Sequence, residues 1–149
     1  MSVEDIESDY PKIKIEGYRI TSEDTSDYNC FAWAAHDTTE WWSPVPTNGY
    51  YWPEKNVARS EDLKTFIELY RFEMGFEPCE SGVEEAGFEK IVLYCNASGN
   101  VTHAARLKEN GTWTSKLGTM EDIEHDTLSG LECVEYGVAF QFMRRPLDV

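Results

Sequence analysis

Short apolar segments separated by turn residues fill the second half of this chain and restrict the folds open to it. Residues 90–95 (KIVLYC) form a continuous apolar run, which predicts a strand covered on both faces. Residues 96–100 have turn composition, and Asn110–Gly111 is the strongest short signal for a β-hairpin. We therefore predict antiparallel strands at residues 90–95, 101–107 and 112–117, and a last strand at 136–143.

The first half of the chain carries helical signals instead. Polar residues 21–27 supply helix caps, which predicts a helix over residues 29–36. Apolar residues at helical spacing predict a second helix over residues 60–74. The remaining expectations are a loose acidic leader at residues 1–9, a short edge strand at 13–15, and a short helix or turn at 119–125. The order of elements indicates one α+β domain over residues 1–149, with N-terminal helices packed on an antiparallel β-meander.

The charge balance restricts the partners. The chain has 28 acidic and 13 basic residues and a net charge of −15. Such a surface repels nucleic acid and anionic membranes, so we expect neither as a partner, whereas a basic protein is compatible with it. The sequence does not indicate an oligomeric state. The acidic start lacks the features of a signal peptide, which predicts a cytoplasmic protein; a specialised secretion system that uses no such signal is also compatible.

One of the four cysteines has the surroundings of a nucleophile. No two cysteines have the close spacing of a zinc or redox motif, so we predict no metal site and no cofactor. Cys79, Cys95 and Cys133 are predicted to be reduced, with Cys95 in the core. Cys30 instead lies at the start of the first predicted helix, where the helix dipole should lower the pKa of its thiol.

A cysteine nucleophile needs a base and a group that orients the base. His103, in the predicted strand 101–107, is the candidate base for Cys30. Strand alternation places it on one face with Val101 and Ala105, and we expect that face to meet the cysteine helix. Two residues are equal candidates for the orienting group: Ser115, on the next strand, and His125, in an acidic segment.

An aromatic segment follows the cysteine helix. Its candidate substrate-binding residues are Trp41, Trp42, Tyr51 and Trp52, together with Asn29 beside the cysteine. Tryptophan and tyrosine combine apolar area with a polar tip, so they suit the lining of a substrate cleft. A lid packed on the core and a protein-binding patch are the alternatives. For Asn29, capping of the helix is the alternative.

Several segments resemble a group of small bacterial proteins that is similar to the papain-like cell-wall peptidase and amidase superfamily. The segments are NCFAWAA at 29–35, WWSP at 41–44, YWP at 51–53, HAAR at 103–106, WTSKLG at 113–118 and YG at 136–137. The resemblance implies a papain-like fold. It also implies that Cys30 on a helix, His103 on a strand and Ser115 on the next strand form the catalytic residues.

These observations predict a papain-like cysteine hydrolase that cleaves an amide bond, as a peptidase, amidase or deamidase. Its partner would be a peptide or amide substrate. Asn29 and Phe31 flank the cysteine where that superfamily often has aspartate and a small residue, and serine is an unusual orienting group. The alternative prediction is therefore a non-enzymatic acidic interaction protein, similar to an immunity or inhibitor protein, or an inactive papain-like binding module.

Overall fold

The computed structural model describes residues 2–45, 50–54, 57 and 59–147. Its helices are α1 (Ser2–Asp9), α2 (Ile13–Glu16), α3 (Cys30–Ala34) and α4 (Leu63–Met74), with a 3₁₀ turn at Ser129–Leu131. Its strands are β1 (Tyr18–Ile20), β2 (Glu77–Cys79), β3 (Phe88–Cys95), β4 (Val101–Leu107), β5 (Trp113–Lys116), β6 (Asp122–His125) and β7 (Val138–Pro146). The part of the aromatic segment at residues 46–49 lies outside the described residues.

The strands form one antiparallel sheet of seven, in the order β1-β6-β5-β4-β3-β7-β2. Four consecutive strands, β3 to β6, are neighbours in sequence order, so the predicted meander is confirmed. The α+β class is also confirmed, with few helices beside a large sheet. The central strand β3 pairs with both β4 and β7, which explains why its sequence is an uninterrupted apolar run.

Both faces of the sheet are covered by core. On one face, Ile91 and Leu93 of β3 belong to a core with residues of α3 and α4. On the other, Val92 and Tyr94 belong to a second core with Ile6 of α1 and residues of α2 and the 3₁₀ turn. The alternation of β3 side chains therefore divides the molecule into three layers, with the sheet in the middle.

Three predicted elements are wrong. The expected loose leader contains helix α1, which Ile6 anchors by burying its whole side chain. The expected strand at 13–15 is helix α2: Ile13 is buried and Ile15 is 88% exposed, a separation that a helical turn produces and a strand does not. The expected helix or turn at 119–125 contains strand β6, because backbone pairing with β1 and β5 outweighs its polar composition.

Helix α3 is shorter than predicted and has defined ends. The Asn29 side chain caps its start by accepting from the Ala32 N–H at 3.2 Å. At its end, His36 takes a left-handed conformation with φ 63°. The N–H groups of His36 and Asp37 then donate to the carbonyls of Trp33 and Ala32, which stops the helix after one and a half turns.

Candidate active site

Cys30 is the first residue of α3, and α3 packs against β4 and β5. The N–H groups of Ala104 on β4, of Phe31 and of Cys30 itself lie against the sulfur. These donors favour a thiolate, but burial outweighs them and raises the pKa of the Cys30 thiol to about 12. The predicted lowering of this pKa is therefore wrong, because the loss of hydration exceeds the stabilisation by N–H groups at the start of a five-residue helix. Cys30 is a neutral thiol at pH 7.

The Cys30 residue is 8% exposed and borders an open cavity of about 280 Å³. We name this space the cysteine cavity. Its walls include Trp41 and Trp42 from the aromatic segment, and Gly118 and Tyr136 from the loops after β5 and before β7. Cys30 thus lines a space that a small group could enter, while its thiol is itself buried.

The imidazole of His103 is fully buried and begins a chain of hydrogen bonds that runs across three strands. His103 Nε2 lies 3.0 Å from Ser115 Oγ, and Ser115 Oγ lies 2.8 Å from His125 Nε2. His125 Nδ1 lies 2.9 Å from the carbonyl oxygen of Thr127. Of the two predicted orienting groups, Ser115 contacts His103 directly and His125 acts on it only through Ser115. We name these residues the His103–Ser115–His125 relay.

The carbonyl at the end of the relay decides where its hydrogens lie. A carbonyl only accepts, so His125 Nδ1 must carry a hydrogen, and in a neutral ring His125 Nε2 then accepts from the Ser115 hydroxyl. The Ser115 oxygen is left to accept from His103 Nε2–H. His103 Nδ1 therefore carries a lone pair and no hydrogen, which is the form a general base requires.

Both histidines of the relay are held in the neutral state. Burial lowers the pKa of His125 to about 4, against a smaller opposing effect of the Thr127 carbonyl. Burial also lowers the pKa of His103 well below its usual value, and the nearby His125 lowers it further. The neutral forms assumed in assigning the hydrogens are therefore the forms present at pH 7.

His103 Nδ1 has no hydrogen-bond partner among the residues the structure describes, although it is buried. Cys30 therefore does not bond to it in this arrangement, and the backbone N–H of Ala104 is the contact that joins the Cys30 sulfur to β4. A buried polar atom without a partner is costly, so this nitrogen is a candidate for a functional role.

The face on which His103 lies differs from the prediction. The pairing of β3 with β4 shifts between Tyr94 and Cys95, so Val101 pairs with Cys95 and His103 pairs with Tyr94. Val101 belongs to the core under α3 and α4, whereas the His103 ring packs against Tyr94 in the opposite core. The bulge breaks the alternation that would have kept Val101 and His103 together. The His103 ring thus lies on the other face of the sheet from α3, and the Cys30 sulfur meets β4 at the N–H of Ala104, the residue after His103.

Sequence reasoning missed Tyr136 as a functional candidate. Its ring is stacked on the His103 imidazole, with centroids 4.3 Å apart and planes 13° apart, and it also borders the cysteine cavity. Thr102 Oγ1 donates to the Tyr136 carbonyl at 2.5 Å, and the Tyr10 hydroxyl donates to the Tyr136 hydroxyl at 2.8 Å. Apart from the resemblance at residues 136–137, the sequence signal is the adjacent Gly137, which has φ 75°. Gly137 could accept no side chain, since a Cβ would lie 1.9 Å from the Cys95 carbonyl oxygen.

Lys116 on β5 was also missed, and it shapes the cavity. Its side chain is fully buried, and its ammonium donates to the carbonyls of Thr25, Gly118 and Met120 at 2.5–2.7 Å. These bonds hold the turn after β5, and Gly118 of that turn borders the cysteine cavity. Burial lowers the pKa of Lys116, and the three carbonyls take up the donors of its charged form.

The predicted substrate-binding residues divide into two groups. Asn29, Trp41 and Trp42 border the cysteine cavity. Asn29 is nevertheless occupied within the protein: besides capping α3, it accepts from the Trp42 N–H at 3.1 Å and donates to the Trp42 carbonyl at 2.6 Å. Its role is to tie the aromatic segment to the cysteine helix, so the capping alternative is the one the geometry supports.

Tyr51 and Trp52 are not among the residues that border the cysteine cavity. Tyr51 bridges to Trp42 through its backbone and is 40% exposed. Trp52 is buried edge-on against Phe66, and its indole N–H donates to the Val57 carbonyl. The aromatic segment therefore contributes to the core through Trp52 and to the cavity through the two tryptophans nearest Cys30.

The other expected features are simpler. All four cysteines are free, and Cys95 lies in the core as predicted. Within the described ranges, no group of three or more His, Cys, Asp or Glu residues could hold a metal ion. No helix in the part of the chain that the structure describes is long and apolar enough to cross a membrane.

The fold thus gives an α+β domain with a cysteine at a helix start beside an aromatic cavity, and with a buried histidine–serine–histidine relay across three strands. A comparison with family models matches residues 19–144 to the family described as domain of unknown function (DUF7689), so the chain belongs to that family. The match includes α3, β4 and β5, and therefore all the residues of the candidate site. A search of curated proteins found no match, and neither did a search of solved structures.

Proposed function

We propose that this protein is a cysteine hydrolase that cleaves an amide bond, with Cys30 as the nucleophile and His103 as the general base. The observation that carries the proposal is the relay: Thr127, His125 and Ser115 together leave His103 Nδ1 as a free lone pair. His103 is followed directly by Ala104, whose N–H contacts the Cys30 sulfur. A histidine buried for packing alone would not need a chain of three hydrogen bonds that orients it and still leaves one nitrogen unpaired.

The proposed reaction starts from neutral partners. The Cys30 thiol turns toward His103, its proton moves to Nδ1, and its sulfur bonds to the carbonyl carbon of the substrate. The imidazolium returns that proton to the nitrogen of the leaving amine as the C–N bond breaks, which leaves a thioester on Cys30. Water, activated by the now neutral His103, then cleaves the thioester to give a carboxylic acid and restores the thiol.

Ser115 and His125 would act as positioning residues. Ser115 accepts from His103 Nε2–H before and after the proton transfer, so the imidazole keeps its orientation through the reaction. His125 ensures that the Ser115 hydroxyl points away from His103, since its own Nε2 takes the hydroxyl hydrogen. The papain-like assignment belongs to this proposal, because it depends on the order of a helix-borne cysteine, a strand-borne histidine and a polar residue on the next strand.

The experiment that tests the proposal measures hydrolysis of a pooled library of peptidyl aminomethylcoumarin amides by wild type and by Cys30→Ala. We expect wild-type turnover that Cys30→Ala lowers by a factor of about 10³ or more, because the nucleophile is lost. Cys133→Ala removes a half-buried thiol outside the site and should leave turnover unchanged. Turnover that survives in Cys30→Ala would refute the role of the sulfur.

Ser115→Ala separates the relay from a merely structural contact. It retains the nucleophile and base but allows His103 to adopt the other tautomer, so we expect turnover to fall by a factor of about 10 to 10². The pH dependence of turnover should also change, because the base loses its fixed orientation. A Ser115→Ala variant with unchanged turnover and pH profile would show that the relay has no part in catalysis.

A second candidate function is supported by the pKa values of the site. Burial favours the neutral forms of both Cys30 and His103, which is the opposite of a preformed thiolate–imidazolium pair. A non-enzymatic acidic protein that binds a basic partner, or an inactive papain-like binding module, would have no need of that pair. Absence of turnover with the library, together with a stoichiometric partner that Cys30→Ala also retains, would favour this second function.

A further inference from the structure

The cysteine cavity adjoins two further open cavities. It shares Trp41 with a cavity of about 230 Å³ that Tyr50 and Thr119 also border. It shares Phe31 and Tyr136 with a cavity of about 310 Å³. Together the three cavities form a groove longer than a small isolated amide would need.

The 310 Å³ cavity, which we name the acidic cavity, combines an apolar wall with two carboxylates. Phe31, Phe66 and Val101 supply the apolar surface, and the exposed Glu61 and Glu135 also line it. Neither carboxylate forms an ion pair or side-chain hydrogen bond with any residue that the structure describes. Among those residues, none that borders this cavity is basic. Arg59 borders an adjoining space of about 190 Å³, which Glu61 also borders.

A lysine or arginine side chain matches this combination. Its aliphatic stem packs on apolar surface while its charged end stays hydrated and close to carboxylates. The overall charge of −15 acts in the same direction, because it attracts a cationic chain to the surface before contact is made.

We propose that the groove binds an extended peptide, and that the acidic cavity takes a lysine or arginine side chain of that peptide beside the bond presented to Cys30. The inference that this bond is cleaved rests on the proposed hydrolase function, but binding of the peptide does not. The two can therefore fail separately.

The test uses the Cys30→Ala protein, which binds without turnover. The probe is a set of pooled octapeptide libraries, acetylated and amidated at their ends. In each library one position is held as lysine, arginine, norleucine or glutamate, and every position is tested in turn. Binding is measured as retention on the immobilised protein, with quantification by mass spectrometry. Norleucine preserves the apolar stem of lysine without the charge, so it separates the carboxylates from the apolar wall.

At one position we expect lysine and arginine to be retained about tenfold more than norleucine, and glutamate least. Glu61→Gln and Glu135→Gln should each lower the lysine preference about threefold, and the double variant should abolish it. Glu80→Gln makes the same change in net charge at an exposed site that borders none of these cavities, and it should leave the preference intact.

Three results would overturn the proposal: no retention of any library, equal retention of lysine and norleucine, or a lysine preference that persists in the double variant. Thermal melting of each variant shows that it is folded, so a loss of preference reports on the carboxylates. Failure of the hydrolase proposal leaves these results unaffected, because every measurement is made without the sulfur.

Discussion

The buried relay makes this protein less stable in mild acid, and His125 is the main cause. Its pKa is about 4 in the folded protein, because burial disfavours the charged ring, and about 6.5 when unfolded. Between these values the unfolded chain binds more protons than the folded one, so the contribution of the neutral His125 to stability is complete above pH 6.5 and is lost as the pH falls toward 4. From pH 7 to pH 5 the loss is about 2 kcal/mol. His103 adds to it in the same direction.

Glu73 acts in the opposite direction over the same pH range. Burial and the neighbouring Glu54 raise its pKa to about 7, so it takes up a proton more readily in the folded protein as the pH falls. The wild-type curve alone therefore does not isolate the relay, and a comparison with a variant is needed. The variant is His125→Gln, which cannot be protonated but retains an amide for its two neighbours.

The assay is urea unfolding of wild type and His125→Gln at pH 7, 6 and 5 at constant ionic strength. We compare the free energy of unfolding of wild type with that of His125→Gln at each pH. The difference, wild type minus variant, should be about 2 kcal/mol smaller at pH 5 than at pH 7. The control is His36→Gln, which replaces a half-exposed histidine outside the relay. Because this variant keeps His125, it should still lose the stability that wild type loses through His125 in acid. If this difference in the free energy of unfolding changes by less than about 0.5 kcal/mol between pH 7 and pH 5, the predicted role of His125 is wrong. If His125→Gln does not fold, NMR titration of wild type should still place the His125 midpoint near pH 4, and a midpoint near 6.5 would refute it equally.

The remaining predictions concern Gly137, Asn29 and Cys30. Gly137→Ala should lower the free energy of unfolding by more than about 3 kcal/mol, because the new Cβ would clash with the Cys95 carbonyl. Gly99 also has a positive φ but lies in open space, so Gly99→Ala should cost about 1 kcal/mol. Equal losses in urea unfolding would contradict this. Asn29→Ala should cost about 2 kcal/mol and increase exposure of Trp42, measured by unfolding and by tryptophan fluorescence, since it removes a helix cap and two bonds to the aromatic segment. Without substrate, Cys30 should react with iodoacetamide more slowly than free cysteine at pH 7, because the pKa of its thiol is about 12. Peptide mapping by mass spectrometry measures the rate of labelling. Labelling faster than that of free cysteine would show that Cys30 is a thiolate.

The elements with strong local patterns were predictable. The apolar run of β3 and the Asn110–Gly111 turn led to the correct meander, since burial on both faces and turn chemistry are properties of a few neighbouring residues. The contact of Ser115 with His103 followed from the same meander, because adjacent strands place such residues side by side. Strand β6 was missed, since the strands on either side of it, and not its own polar residues, determine its conformation.

The candidate site residues could be named from the sequence, but their electrostatics could not. A helix start argues for a lowered thiol pKa, and that argument omits the burial that the folded protein imposes on Cys30. The stacking of Tyr136 on His103 could not be predicted from sequence, because Tyr136 lies in a loop more than thirty residues after His103.

Local sequence patterns are enough to predict the antiparallel meander, the cap on the cysteine helix and the candidate residues Cys30, His103 and Ser115, because each depends on side chains close together along the chain. The neutral state of Cys30 and His103 and the free His103 Nδ1 follow only from the folded arrangement. Desolvation and hydrogen-bond direction depend on every group packed around an atom, and the groups around these atoms come from distant parts of the chain.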